Sequence, residues 1–136
     1  MPSGNVDNRY YNRVTEETVK RLVSILDADR VIWNDEKSLH PYGYDQVADR
    51  SYGHPPEIVV KPQSSEEIRA ILLLAGEEWI PVTPRGAVSG LSGGSVPMLG
   101  GISLSLELMN RIIEIDRENM VAVVEPGVIT NQLDAK

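Results

Sequence analysis

The chain has 136 residues, 41% of them hydrophobic, and its 13 basic and 20 acidic residues give a formal net charge of −7. This length and composition fit one globular domain, and the acidic balance argues against a nucleic-acid partner or an anionic membrane surface, since both require basic patches. The sequence has no cysteine, which excludes disulfides, thiol catalysis and cysteine-ligated metal sites in this chain.

The first part of the sequence predicts an arm, a helix and a long connection. Residues 1–13 are polar and aperiodic, so we expect a flexible arm, and they lack the apolar core of a signal peptide. No apolar run approaches the ~20 residues of a membrane span, so we expect a cytoplasmic protein without membrane insertion. Thr15, followed by two glutamates, predicts a helix N-terminus, and residues 31–33 predict a short strand. With the tyrosine-rich connection that follows, they form a lead-in segment, residues 14–55.

The middle of the sequence predicts a βαβ unit. Residues 58–60 are β-branched and predict a strand, and residues 80–83 predict another. Between them, Ser64 with Glu67 three positions later is typical of a helix start, and apolar residues recur at helical spacing until about Gly76. A strand, a helix and a strand in this order predict parallel strands with a right-handed crossover.

The last part of the sequence predicts further strands. Residues 101–106 alternate apolar with small polar residues, which predicts a half-exposed strand, and residues 112–115 and 121–124 predict an antiparallel hairpin. Thr130 is expected to cap a further helix. The expected fold class is therefore mixed α/β: a short parallel sheet flanked by helices, then a hairpin. No later element covers this hairpin, so the sequence is either a short protein or a fragment, and we expect a homodimer through the 112–124 edge.

Residues 84–97, PRGAVSGLSGGSVP, form a glycine- and serine-rich loop after the second predicted strand of the βαβ unit. The loop lacks the Gly-Lys-Ser/Thr ending of a Walker A loop, and its glycines do not have the spacing of the dinucleotide fingerprint. Glycines let a backbone approach a ligand and adopt positive φ, and successive amides can form an anion-binding nest. On its residues alone, the loop is either a cradle for a ligand such as pyrophosphate or a flexible loop.

Six sequence blocks point to a family. In order they are PPEIVVKP, SSEEI, PVTPRGAVSGLSGGSVP, GGISLSL, MNRIIEID and VAVVEPGV. Together they resemble the first part of the PCMH-type FAD-binding domain of the vanillyl-alcohol oxidase and p-cresol methylhydroxylase superfamily. They are most similar to the FAD subunit of glycolate oxidase and to D-lactate dehydrogenases, whose lead-in resembles LHPYGYDQVADRSYGHPPEIVVKP. The resemblance implies that residues 56–136 are the first part of such a domain, truncated relative to it, with FAD as cofactor.

The resemblance also implies which residues bind FAD. In the family, the glycine loop wraps the FAD pyrophosphate through its backbone amides, and a second segment runs beside the cofactor. These roles fall on Pro84, Arg85, Gly86, Ala87, Val88, Ser89, Gly90 and Leu91, and more weakly on Glu125, Pro126, Gly127 and Val128. The sequence departs from the family at Val88, where Gly or Asn is usual. Because a valine at positive φ is strained, we expect a differently shaped loop or reduced affinity.

Two functions follow as hypotheses. In the first, the chain is the FAD-binding portion of a flavin-dependent oxidoreductase acting on a 2-hydroxy acid of the glycolate or D-lactate type; the isolated chain is inactive and the full enzyme has an iron–sulfur partner subunit. In the second, it is a non-catalytic truncated or interaction module that kept the fold and lost FAD. The family's catalytic domain has no counterpart here, so we assign no catalytic residue and no metal ligand.

Other candidate residues are interpreted as structural. Tyr42, Tyr44 and Asp45 resemble the family's lead-in motif and are expected to form a hydrogen-bonded connection. Arg111 is expected to pair on the surface, with support of the glycine loop as the alternative. Trp33 and Trp79 are expected to be buried anchors.

Overall fold

The computed structural model describes residues 10–47 and 51–134. Its helices and strands in chain order are α1 (Glu16–Leu26), β1 (Val31–Trp33), α2 (Glu36–Leu39), β2 (Ile58–Val60), α3 (Ser65–Glu77), β3 (Val82–Arg85), β4 (Ile102–Ser105), β5 (Ile112–Asp116), β6 (Val121–Val124) and α4 (Thr130–Asp134). Among the described residues, no helix has the length and apolar character needed to cross a bilayer.

The main sheet has four strands in the order β1–β2–β4–β3. Strands β2 and β3 both run parallel to β4, whereas β1 pairs antiparallel with β2. Ile102 of β4 lies opposite both Ile58 and Val82, so the carboxyl ends of the three parallel strands lie at one edge of the sheet. The predicted parallel strands are confirmed, and β4 is inserted between them.

The half-exposed strand predicted for residues 101–106 is wrong, because all four residues of β4 are buried. Ile102 and Leu104 belong to the hydrophobic core. Ser105, on the alternate face, donates a hydrogen bond to Glu107 (3.0 Å), so this face is covered by protein and not by water. The alternation of large and small residues in β4 reflects the space available on its two faces.

The core lies between the sheet and the two long helices. Leu22 and Leu26 of α1, Ile71 of α3, and the strand residues Ile58 and Ile102 are all fully buried in one cluster. Each buried aliphatic side chain contributes about 1.5–3 kcal/mol to stability. These helices hold the parallel strands in place, so the carboxyl edge of the sheet is a rigid base for the loops that leave it.

Both long helices begin where the sequence predicts. The hydroxyl of Thr15 accepts a hydrogen bond from the Thr18 amide at the start of α1 (3.2 Å). The hydroxyl of Ser64 accepts one from the Glu67 amide at the start of α3 (3.2 Å). Each cap satisfies an amide that has no partner inside its helix, which confirms the two predicted helix starts.

The turn between α3 and β3 differs from the prediction. Strand β3 begins at Val82 and extends through Arg85, later than the predicted residues 80–83. Trp79 is 67% exposed in this turn, so its predicted role as a buried anchor is wrong; turns lie at the surface, because their backbone needs solvent or special partners. Asn12, from the predicted arm, donates its amide to the Trp79 carbonyl (2.9 Å). Residues 1–9 of that arm and 48–50 of the lead-in lie outside the described residues.

The predicted hairpin is confirmed and forms a separate two-stranded sheet. Strand β5 pairs antiparallel with β6, from Ile112 opposite Val124 to Asp116 opposite Val121, with a register irregularity after Ile112. All four residues of β6 are exposed, and Ile113 of β5 is 62% exposed. The hairpin therefore presents apolar side chains to solvent.

Candidate functional site

The glycine loop leaves the sheet at the carboxyl end of β3. The last residue of that strand, Arg85, lies opposite Ser105 of the central strand, and its carbonyl accepts a hydrogen bond from the Leu106 amide (2.9 Å). Pro84 and Arg85 are therefore strand residues, and the loop proper begins at Gly86. Ligands in open α/β sheets bind outside the carboxyl ends of the strands, and this loop occupies that position.

The backbone amides of the loop are available to a ligand. Within residues 10–47 and 51–134, none of the amides of residues 86–92 donates a hydrogen bond to another protein atom. Most of these residues are exposed, so the amides are open to solvent. A run of unpartnered amides at a strand end suits an anion with several oxygens, such as a diphosphate.

The second predicted site segment lies against the first residue of the loop. A Cβ added to Gly86 would lie 2.9 Å from the Pro126 carbonyl oxygen. Gly127 is equally confined, since a Cβ there would collide with the Leu106 carbonyl, and its amide donates to the Met109 carbonyl (2.8 Å). The structure therefore brings the two sequence-predicted segments together through Gly86 and Pro126.

Val88 adopts the backbone conformation that a valine disfavours. Its φ is +59°, in the left-handed region, where a β-branched residue is a genuine outlier. The sequence left two alternatives, a differently shaped loop or reduced affinity; the backbone at Val88 keeps the positive φ, and reduced affinity stays a prediction. Strain of this kind persists only where the surrounding structure imposes it, and it concentrates at functional sites.

The guanidinium of Arg85 contacts the lead-in segment. It donates to the Tyr42 carbonyl (2.6 Å) and lies 4.9 Å from the centre of the Tyr42 ring. The side chain is buried, and this burial lowers the pKa of Arg85 from its ordinary value, against the attraction of nearby acidic groups. Lys61, at the end of β2, pairs with Glu107 (2.6 Å) beside the same ring. The positive charge predicted for the loop is therefore present at its base.

Glu125 is bonded to Arg111. The carboxylate is 8% exposed and accepts bonds from the Arg111 amide (2.8 Å) and guanidinium (2.7 and 3.0 Å). The hydrogen bonds from the Arg111 side chain, followed by the hydrogen bond from its backbone amide, lower the pKa of Glu125. Both residues act on the protein itself: they hold the segment of residues 107–111 to the turn that carries Pro126. The predicted surface pairing of Arg111 is confirmed, since its side chain is 78% exposed and bonded to Glu125.

Asp45 makes a contact with the glycine loop that the sequence did not identify. It is 5% exposed, and its carboxylate accepts a hydrogen bond from the Gly93 amide (2.8 Å). The only signal for this contact in the sequence is the motif YGYD, which by itself predicts a hydrogen-bonded connection. Beside this contact, a pocket of about 420 Å³ lies between the lead-in segment and the loop. It is lined by Val47, Tyr52, Leu91, Ser92, Gly93 and Met98.

Comparison with known proteins identifies the domain. Residues 56–136 match the family model described as FAD binding domain. The chain is 40% identical over 124 residues to a D-lactate dehydrogenase of Anaerostipes hadrus, covering 90% of this chain and 25% of that protein. It is 44% identical over 117 residues to the glycolate oxidase subunit GlcD of Bacillus subtilis, covering 86% and 24%. The chain thus spans about a quarter of the length of these relatives.

The fold comparison agrees with the sequence comparison. A crystal structure of p-cresol methylhydroxylase with substrate bound superposes with a TM-score of 0.77 at 27% identity, covering 90% of this chain and 25% of that one. A 4-ethylphenol oxidase of Gulosibacter chungangensis, in complex with isoeugenol, has a TM-score of 0.75 at 29% identity, covering 88% and 24%. These matches confirm the family resemblance and the PCMH-type fold that the sequence predicts.

Proposed function

Since this chain belongs to the FAD binding domain family, we propose that its glycine loop binds the pyrophosphate of FAD. The observation that carries the proposal is the run of unpartnered amides in residues 86–92 at the carboxyl end of β3, among the residues that the structure describes. Diphosphate oxygens are strong acceptors, and oriented backbone amides bind them without a counter-charge on each oxygen. The donor set of the loop fits this group.

The proposed roles of the site residues differ along the chain. The amides of residues 86–91 donate to the pyrophosphate, and Pro84 and Arg85 set the direction in which the loop leaves β3. Arg85 stabilises the anion by its charge while its guanidinium is bonded to the Tyr42 carbonyl. The turn from Glu125 to Val128 supports the loop from below, because the Pro126 carbonyl closes the space beside Gly86.

For the whole protein we propose a cytoplasmic oxidoreductase that acts on a 2-hydroxy acid of the glycolate or D-lactate type. The names of the two relatives support this substrate class. Bound FAD would supply the redox chemistry, taking a hydride from the hydroxyl-bearing carbon. This chain's share is to bind and orient the cofactor. We propose that the isolated chain does not turn over substrate, and that the full enzyme works with an iron–sulfur partner subunit.

Val88 favours a second candidate function. Val88 has a strained backbone conformation in the middle of the loop. If FAD binding requires that conformation, the cost of the strain weakens the affinity for FAD. A chain that kept the fold but no longer binds FAD would tolerate such a residue. In that case the domain is an interaction module, and the exposed hairpin is its contact surface.

The hairpin is the proposed contact between two copies of the isolated chain. Val121, Val123 and Val124 are 52%, 44% and 37% exposed, and Met120 in the turn is 91% exposed. Exposed apolar strands with open edges favour pairing with another chain. We therefore propose that the isolated chain forms a homodimer through residues 112–124.

The test of the proposed function is FAD binding by the chain and by two glycine variants. We expect the wild-type chain to quench FAD fluorescence on titration, and Gly86→Ala to abolish the quenching, because the added Cβ collides with the Pro126 carbonyl. Gly76→Ala is the matched control, since a Cβ at that position in α3 has nothing within 4 Å. A wild-type chain that neither quenches FAD fluorescence nor retains flavin absorbance after desalting would favour the interaction module.

A further inference from the structure

We propose that residues 42–47, the template segment, fix the conformation of the glycine loop, with Asp45 as the positioning residue. The inference rests on the proposed function, because the loop is taken to bind FAD. The template segment precedes the loop by a strand, a helix and another strand in sequence, and it contacts the loop along its length.

The contacts reach the base, the middle and the far part of the loop. At the base, Arg85 donates to the Tyr42 carbonyl (2.6 Å). In the middle, the Gln46 amide donates to the Gly90 carbonyl (3.2 Å). In the far part, the Gly93 amide donates to Asp45 Oδ2 (2.8 Å). The template segment therefore contacts the strand end that the loop leaves and fixes the loop itself at two further points.

The carboxylate of Asp45 is itself held rigidly. Its Oδ1 accepts from the Val47 amide (3.0 Å) and the Tyr52 hydroxyl (3.0 Å), while Oδ2 accepts from Gly93. The hydrogen bond from the Val47 backbone amide lowers the pKa of Asp45 most, followed by the hydrogen bonds from Tyr52 and Gly93, whereas burial raises it. The group is therefore an ionised acceptor, and hydrogen bonds to an ionised acceptor are the stronger kind.

The loop has little internal structure of its own. Among the described residues, the backbone bond inside the loop is that from the Val96 amide to the Gly93 carbonyl (3.0 Å). The amides of Met98 and Gly100, just after the loop, donate to the Val96 and Pro97 carbonyls (2.8 Å each). Glycine-rich backbone loses much conformational entropy when it is ordered. External bonds are needed to hold it, and Asp45 supplies the one at Gly93.

Asp45 binds only the far part of the loop, at Gly93, and leaves residues 86–92 available for the ligand. It occupies the amide of Gly93 and leaves the amides of residues 86–92 without a protein partner in the described part of the chain. A carboxylate beside an anion site would repel the anion if its oxygens faced it. Both oxygens of Asp45 are instead bonded to neutral protein donors, which stabilise the charge, and this charge attracts the Arg85 guanidinium.

The test uses the full chain, FAD as the probe, and three variants. Asp45→Ala removes every bond of the carboxylate, and Asp45→Asn keeps one oxygen acceptor of similar shape. Asp35→Ala is the matched control: Asp35 is also a hydrogen-bonded carboxylate, accepting from the amide (3.3 Å) and hydroxyl (2.6 Å) of Ser38, but it caps α2 and not the loop.

Two quantities are measured for each variant: the dissociation constant for FAD and the hydrogen-exchange protection of the Gly93 amide. If Asp45→Ala leaves about a tenth of the loops in the binding conformation, the dissociation constant rises about tenfold, with Asp45→Asn in between and Asp35→Ala within about twofold of wild type. The Gly93 amide should be protected in the wild type and in Asp35→Ala, and should lose protection in Asp45→Ala.

Each outcome bears on the inference. An unprotected Gly93 amide in the wild type, an unchanged dissociation constant in Asp45→Ala, or an equal loss in Asp35→Ala would overturn it. If Asp45→Ala does not fold, Asp45→Asn decides by the same two quantities. If the wild-type chain binds no FAD, the proposed function fails, while the exchange of the Gly93 amide still decides whether Asp45 orders the loop.

Discussion

Changing Val88 and its neighbour tests whether the glycine loop stores backbone strain. Val88 has a φ of +59°, whereas Ala87 is not among the residues with positive φ. An alanine-to-glycine step at each position isolates the backbone effect. At position 88 the pair is Val88→Ala and Val88→Gly. At position 87 the wild type already has alanine, so the pair is the wild type and Ala87→Gly.

The magnitude follows from two opposing terms. The left-handed conformation costs a residue with a Cβ roughly 1–2 kcal/mol, and glycine loses about 0.5–1 kcal/mol through its greater freedom in the unfolded chain. The alanine-to-glycine step should therefore stabilise the chain by about 0.5–1 kcal/mol at position 88 and destabilise it by about the same amount at position 87. The two steps have opposite signs.

The assay is urea denaturation of the four proteins, compared by the free energy of unfolding. The contrast between the two steps should be about 1–2 kcal/mol. Both members of the pair at position 88 lack the valine methyl groups, and both members of the pair at position 87 keep them, so the packing of the Val88 side chain cancels within each pair. Equal destabilisation at both positions would refute the strained loop, since it would mean that residue 88 has an ordinary negative φ in solution.

Three further predictions follow from the site and the hairpin. Folding lowers the pKa of Glu125, chiefly through the Arg111 side chain, and the pKa of Asp45, chiefly through the Val47 amide. Both carboxylates therefore stabilise the fold above an unfolded pKa of about 4, and this stabilisation is lost as the pH falls below it. Urea denaturation should show this fall, and Glu125→Gln should make it shallower; an unchanged slope in the variant would contradict the assignment. The isolated chain should have the mass of a dimer by light scattering, and Ile113→Lys, at a 62% exposed position, should convert it to a monomer; a wild-type monomer at high concentration would remove the proposed contact. With FAD and D-lactate or glycolate, the isolated chain should reduce no dye acceptor, and turnover above the flavin-only rate would disprove its proposed inactivity.

Local patterns predicted most of the secondary structure. The Thr15 and Ser64 caps, the β-branched run at Ile58 and the hairpin turn after Asp116 each depend on neighbours in sequence, and each was found. The full burial of β4 was not predicted, since alternation of apolar and small residues has the same pattern whether the small side faces water or protein. The exposure of Trp79 was also not predicted. It depends on where the turn after α3 lies in the fold, which the local sequence does not show.

The site was predicted as segments but not as an arrangement. The resemblance gave residues 84–91 and 125–128, and it identified Val88 as the position to question. The bond between Asp45 and Gly93 joins residues 48 positions apart, and the contact between Gly86 and Pro126 depends on how two turns meet. Neither has a periodic or spacing signal, so only the fold reveals them. Whether these residues bind FAD stays a prediction.

The central claim is that the amides of residues 86–92 receive the pyrophosphate of FAD. The most direct measurement is nuclear magnetic resonance of the ¹⁵N-labelled chain, in which FAD, ADP and riboflavin are added separately and each backbone amide is followed. FAD and ADP share the diphosphate, which riboflavin lacks, so both should shift the amides of residues 86–92 and riboflavin should leave them in place. Shifts caused by riboflavin alone, or shifts by FAD and ADP confined to residues outside this loop, would contradict the account.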